Sequence, residues 1–144
     1  MRNELKILVA CLVLVGFCGC HKSGTWENDP GNWKRAFGTL PPKQIQVLHS
    51  YYWRSPHFTR EEEWIFHIKA PASFHEEWLA AYKVRHPDAT ELQSLNNLKT
   101  RNPSWFVPKP FSEYEIWVLA EGAVRNFAMF VDQTNGEFFV TDSQ

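Results

Sequence analysis

The chain has 144 residues, of which 44% are hydrophobic, 15% aromatic and 22% charged, and its formal net charge is −1. That balance excludes a general electrostatic attraction to nucleic acid or anionic lipid, and the length suits one domain with its own core rather than two. All three cysteines lie within the first twenty residues, which leaves the remainder without a disulfide, a thiol nucleophile or a thiolate metal site.

Arg2 and Lys6 give a basic start, followed by a weakly polar run of eleven residues from Ile7 to Phe17. A bilayer core needs about 20 residues of helix, so this run fits the apolar part of an export leader over residues 1–19. The stretch Leu14-Val15-Gly16-Phe17-Cys18-Gly19-Cys20 resembles the lipobox of bacterial lipoproteins, with small Gly19 before Cys20. The resemblance implies that Cys20 is lipidated and becomes the mature N-terminus. Each buried methylene of an acyl chain contributes about 0.8 kcal/mol, and more than one chain gives lasting attachment. It also implies a cell-envelope location facing the periplasm, with the outer membrane favoured because His21, not aspartate, follows Cys20.

Residues 20–42 are rich in Gly, Asn, Pro and Lys, with Trp26, Trp33 and Phe37 at no regular period. They are read as the lipidated N-terminus and a tether whose aromatics can dock on the domain, with Leu40-Pro41-Pro42 at the entrance. A single domain is expected over 43–144.

Within it, 45–53 alternates so that Ile45, Val47, Tyr51 and Trp53, with His49 among them, share one side of a strand. Residues 62–70 place Trp64, Phe66 and Ile68 on one face and Glu63, Ile65 and His67 on the other, which predicts an antiparallel partner. Ser73 and Glu76 have capping-box spacing ahead of an apolar stripe of Phe74, Trp78, Ala81 and Tyr82, and Pro87 ends that helix. Asp88 and Glu91 repeat the spacing before Leu92, Leu95 and Leu98, which predicts a short second helix.

Residues 103–110 hold three prolines, which forbid a helix interior or a central strand, so Trp105, Phe106 and Phe111 belong to an extended loop. Segments 114–120, 124–131 and 137–141 then form a three-stranded meander, its reversals marked by Gly122 and by Asn135-Gly136. The expected fold is α+β, a mostly antiparallel five-stranded sheet in the order ββ-α-α-βββ with helices on one face. Both faces of the meander are apolar, for instance Ile116 and Val118 against Trp117 and Leu119, so the sheet is covered twice or one face meets a partner.

His49, His57, His67, His75 and His86 with Glu61, Glu62 and Glu63 raise a metal site, but the spacing argues against one. His75-Glu76-Glu77-Trp78 starts like a zincin helix, yet Leu79 stands where the second histidine belongs. His49 and His67 can meet across the first hairpin. Glu76 and Glu77 suit the positive end of a helix dipole, and Asp132 to Glu137 reads as a hairpin turn rather than a calcium loop. No nucleophile motif or phosphate-binding loop stands out, and neither a cofactor nor a catalytic residue is assigned. The candidate interaction residues are Trp105, Phe106 and Phe111, large aromatics on a stiff loop able either to anchor a partner or to fold back over the sheet.

The whole arrangement, with its Leu-Pro-Pro entrance, Pro-x-Trp-Phe-x-Pro loop and terminal Val131-Asp132 to Gly136 hairpin, is similar to small bacterial lipoproteins, which implies location and design but no activity. The functional expectation is a lipid-anchored, non-enzymatic protein-interaction module with an envelope partner. The alternatives are an inhibitor or immunity protein against a periplasmic hydrolase, and an envelope hydrolase using His and Glu residues.

Overall fold

A computed structural model of the chain describes residues 22–57, 61–120 and 126–143. Its core is one antiparallel sheet built from β1 (Gly24–Glu27), β2 (Gln46–Arg54), β3 (Glu62–Lys69), β4 (Val84–Arg85), β5 (Tyr114–Leu119), β6 (Ala128–Asp132) and β7 (Phe138–Ser143). The spatial order is β1-β2-β3-β7-β6-β5-β4. Two meanders therefore meet where β3 pairs with β7, and the last strand of the chain lies at the centre. Among the described residues no helix is long and apolar enough to cross a membrane.

Seven strands replace the expected five. One addition, β1, comes from the stretch read as a tether: its four residues pair with Tyr51 to Arg54 of β2. The other, β4, comes from residues read as the end of the first helix and pairs with Val118 and Leu119. Neither carries a period of its own, because strands of four and two residues are too short to show alternation.

The expectation of helices on one face is also corrected. Helices α1 (Asn32–Phe37) and α2 (Ala72–Ala81) cover one face, where Trp33, Phe37, Phe74 and Trp78 pack on Phe66, Met129, Phe138 and Val140. Helix α3 (Ala89–Arg101) and the proline-rich loop cover the other, where Leu95, Phe106 and Val107 meet Ile65, Ile116, Phe130 and Phe139. The apolar residues on both faces of β5–β7 thus each find a layer, and a fully buried Phe or Val contributes about 1.5–3 kcal/mol.

Local chemistry sets the helix boundaries. Asp88 caps α3 with the expected box: its side chain accepts from the Glu91 amide at 2.8 Å, and the Asp88 amide donates to the Glu91 carboxylate at 2.9 Å. The box expected at Ser73 does not form. Pro71, at φ −58° and ψ 150°, already stands at the N-cap, so Ser73 falls inside the first turn. Helix α2 stops at Ala81 rather than at Pro87 because Val84 and Arg85 are drawn into the sheet.

Strand β2 departs from plain alternation. Val47 pairs with Ile68 and His49 with His67, so two steps on β2 match one on β3 and Leu48 is the extra, bulged residue. Ile45 and Val47 consequently face α1 and α2, whereas Tyr51 joins the α3 side. The expected single row of 45, 47, 49, 51 and 53 is split in two.

Candidate functional site

On the α3 side the bulge sets His49 beside His67. Their rings are 13° from parallel with centroids 5.8 Å apart. Trp105 stacks on the outer side of His49 (5.2 Å, 18°) and Phe139 on the inner side of His67 (4.2 Å, 17°), so four rings from the loop, β2, β3 and β7 form one row. The Trp105 indole N–H donates to Glu27 Oε1 of β1 at 3.3 Å. His49 Nδ1 lies 3.3 Å from Asn28 Oδ1, and that same oxygen accepts from the Ser50 amide.

His67 Nε2 is 2.9 Å from Glu137 Oε2. Its Nδ1 is buried and has no partner among the described residues. Burial holds the His67 imidazole below its ordinary pKa, although Glu137 pulls it back up. Its contact with Glu137 is accordingly a hydrogen bond from a neutral ring, Nε2–H donating to the carboxylate, rather than an ion pair.

This geometry speaks to the metal and hydrolase expectations. His49 and His67 do come together, but stacked rings send their in-plane lone pairs along nearly parallel planes, and Glu137 engages the outward nitrogen of His67. Among the described residues no group of three or more His, Cys, Asp or Glu side chains could hold a metal ion. The other candidates are scattered. Glu62 accepts from the Tyr52 hydroxyl at 2.8 Å on the opposite face, Glu76 and Glu77 are exposed on α2, and His86 stacks on Trp117 with Nδ1 2.9 Å from the Ile116 carbonyl.

The three interaction residues have different surroundings. Phe106 is only 2% exposed and meets Phe130 and Phe139 edge-on at 5.6 and 6.2 Å. Trp105 and Phe111 are half-buried at the loop's two ends. Between them Val107 holds a left-handed φ of 45°, a conformation costing a β-branched residue about 1–3 kcal/mol, and it persists because the side chain is fully buried.

Lys109 fastens the far end. Its ammonium lies 2.8 Å from Asp132 Oδ2 and 3.8 Å from Glu113, its amide donates to the Tyr114 hydroxyl, and its carbonyl accepts from Lys99 Nζ at 2.6 Å. The same Lys99 ammonium sits 5.6 Å from the centroid of the Phe111 ring. Burial raises the Asp132 carboxyl, but Lys109 and the Thr134 amide together outweigh it and hold the group low. Asp132 also shapes the β6–β7 turn, where the Thr134 amide donates to Oδ1 and Gly136 takes φ +70°, in accord with the turn reading. Cys20 lies outside the described residues.

Past Trp105, where α3 ends above the sheet, a cleft of about 510 Å³ opens between Tyr51 and Glu63 on one side and Leu98, Arg101, Asn102 and Pro103 on the other. Sequence reasoning missed it, since Glu63 sits in a run of glutamates that reads as a solvated face and Arg101 at a helix end that reads as a dipole partner. Comparison with protein-family models, curated proteins and solved structures finds no match for the chain.

Proposed function

We propose that this chain is a lipid-anchored protein of the bacterial cell envelope whose domain faces the periplasm and binds an envelope protein without catalysis of its own. The observation that carries the reading is Cys20 preceded by Gly19 at the end of a basic, then apolar, leader. Acyl chains on Cys20 would hold the folded domain at a membrane surface, the outer membrane being favoured by His21.

The binding part of the reading is supported by the stiffness of the proline-rich loop. Phe106 and Val107 are buried and Lys109 is held by Asp132, so Trp105 and Phe111 are presented in fixed positions. Aromatic side chains ordered in advance lose little conformational entropy when a partner covers them. In this reading Phe106 anchors the loop and the half-buried Trp105 and Phe111 meet the partner.

The test is to express the wild type and Cys20→Ser in a diderm bacterium and separate the membranes. Wild type is expected in the membrane fraction and Cys20→Ser in the soluble periplasm. Identical distribution of the two overturns the anchor. Photo-crosslinkers placed at Trp105 and Phe111 in intact cells should then capture one protein in common, which a crosslinker at exposed Pro56 does not.

A further inference from the structure

We propose that the cleft beneath the end of α3 binds a free α-amino acid, its ammonium held by Glu63 and its carboxylate by Arg101 and Asn102. This goes beyond the envelope reading and does not depend on the anchor.

Four observations converge there. First, Glu63 and Arg101 line the same cleft, one from the sheet and one from the helix end, yet among the described residues they do not close to the 4.0 Å of an ion pair. Acid–base pairs elsewhere do close: Arg35 to Asp29 at 2.9 Å, Arg85 to Glu91 at 2.8 Å and Lys109 to Asp132 at 2.8 Å. An acid and a base left apart across a gap complement a small ligand that carries both opposite charges. Of common small molecules, an α-amino acid carries them closest together.

Second, the Asn102 side-chain amide nitrogen is buried with no acceptor among the described residues. A buried donor without a partner costs about 1–3 kcal/mol, and a carboxylate shared with Arg101 would satisfy it. Third, Leu98 and Pro103 give the same wall an apolar portion suited to an aliphatic side chain, and the cleft volume falls within the roughly 300–1,000 Å³ of small-molecule sites. Fourth, the neighbouring Tyr51 hydroxyl is engaged by Thr25, which leaves the Glu63 carboxylate as the acceptor for an ammonium. Burial pushes that carboxyl above its ordinary range, with Arg101 pulling it partly back, so a bound cation would lower it again.

The experiment is calorimetric titration of the full-length protein in detergent micelles with glycine, L-alanine, D-alanine and L-leucine, each up to about 10 mM, the range expected of ligands this small. Alanine blocked as N-acetylalanine removes the ammonium, and alaninamide removes the carboxylate. Saturable binding of at least one free amino acid is expected, weakened about tenfold or more in either blocked form, since each charge-assisted contact is worth about 1.5–3 kcal/mol. Glu63→Gln should erase the difference between alanine and N-acetylalanine, and Arg101→Gln, at an exposed position that leaves folding intact, should erase the difference between alanine and alaninamide. No saturable binding by any of the four, or binding that neither blocking nor Arg101→Gln alters, overturns the proposal.

Discussion

His49 and His67 stand directly opposite each other across β2 and β3 with their rings nearly parallel, and the bulge at Leu48 is what puts them there. Without the extra residue, the alternation that sends Val47 toward α1 and α2 would leave the count of residues between the two rows as regular as the sequence suggests. With it, one strand serves both layers at once.

Deleting Leu48 should therefore be tolerated. Val47 would still pair with Ile68 and His49 with His67, now in an unbroken ladder, and the loss is confined to a half-buried leucine, about 1 kcal/mol. Deleting Ser50 turns His49 to the other face and breaks its contacts with Asn28 and Trp105, which should cost at least about 3 kcal/mol. Urea unfolding of the two deletions compares them directly, and equal losses would contradict the register.

The proline-rich loop should show a steep gradient between neighbouring residues. Phe106→Ala empties a buried site among Phe130 and Phe139 and is expected to cost about 3–5 kcal/mol. Trp105→Ala loses one stack on His49 and a long hydrogen bond to Glu27, about 1–2 kcal/mol. If Trp105→Ala proved the more destabilising of the two, Trp105 would be the structural lid and not the presented surface.

His67 links stability to mild acid. Its folded pKa is held below the ordinary 6.5, chiefly by burial, so the unfolded chain binds its proton first as pH falls. The contribution is fully present above the unfolded pKa and is lost as pH drops from there through the folded pKa. One proton limits the slope to about 1.4 kcal/mol per pH unit. Urea midpoints measured between about pH 7.5 and pH 5 should decline faster in the wild type than in His67→Gln, and parallel curves would contradict the neutral, buried ring.

Asp132 does the same at lower pH. The group is 4% exposed and its folded pKa lies below the ordinary 3.8 because Lys109 and the Thr134 amide outweigh burial. Its contribution is present above that ordinary value and disappears as pH falls through the folded one. Asp132→Asn should therefore be clearly less stable than wild type at neutral pH, the gap closing in strong acid. Amide exchange at Phe106 and Lys109 should quicken in the variant while the centre of β7 stays protected.

Much of this fold was legible. The hairpin of β2 and β3, the Asp88 box, the loop forced by prolines at 103, 108 and 110 and the turn at Asn135-Gly136 rest on short-range chemistry that a sequence displays. What escaped depends on distant partners. Gly24–Glu27 becomes a strand only because β2 offers it an edge, and Leu48 is a bulge only by comparison with β3. The site shows the same division: the meeting of His49 and His67 follows from hairpin pairing, whereas the gap between Glu63 and Arg101 depends on where α3 ends above the sheet.

The account's central claim is the attachment of the domain to a membrane through one thiol, and intact-mass and peptide mass spectrometry of the protein extracted from membranes tests it most directly. The predicted result is a chain beginning at Cys20 with a diacylglyceryl group on sulfur and an acyl group on the amine. A chain retaining Met1, or one whose N-terminus carries no lipid, would contradict it.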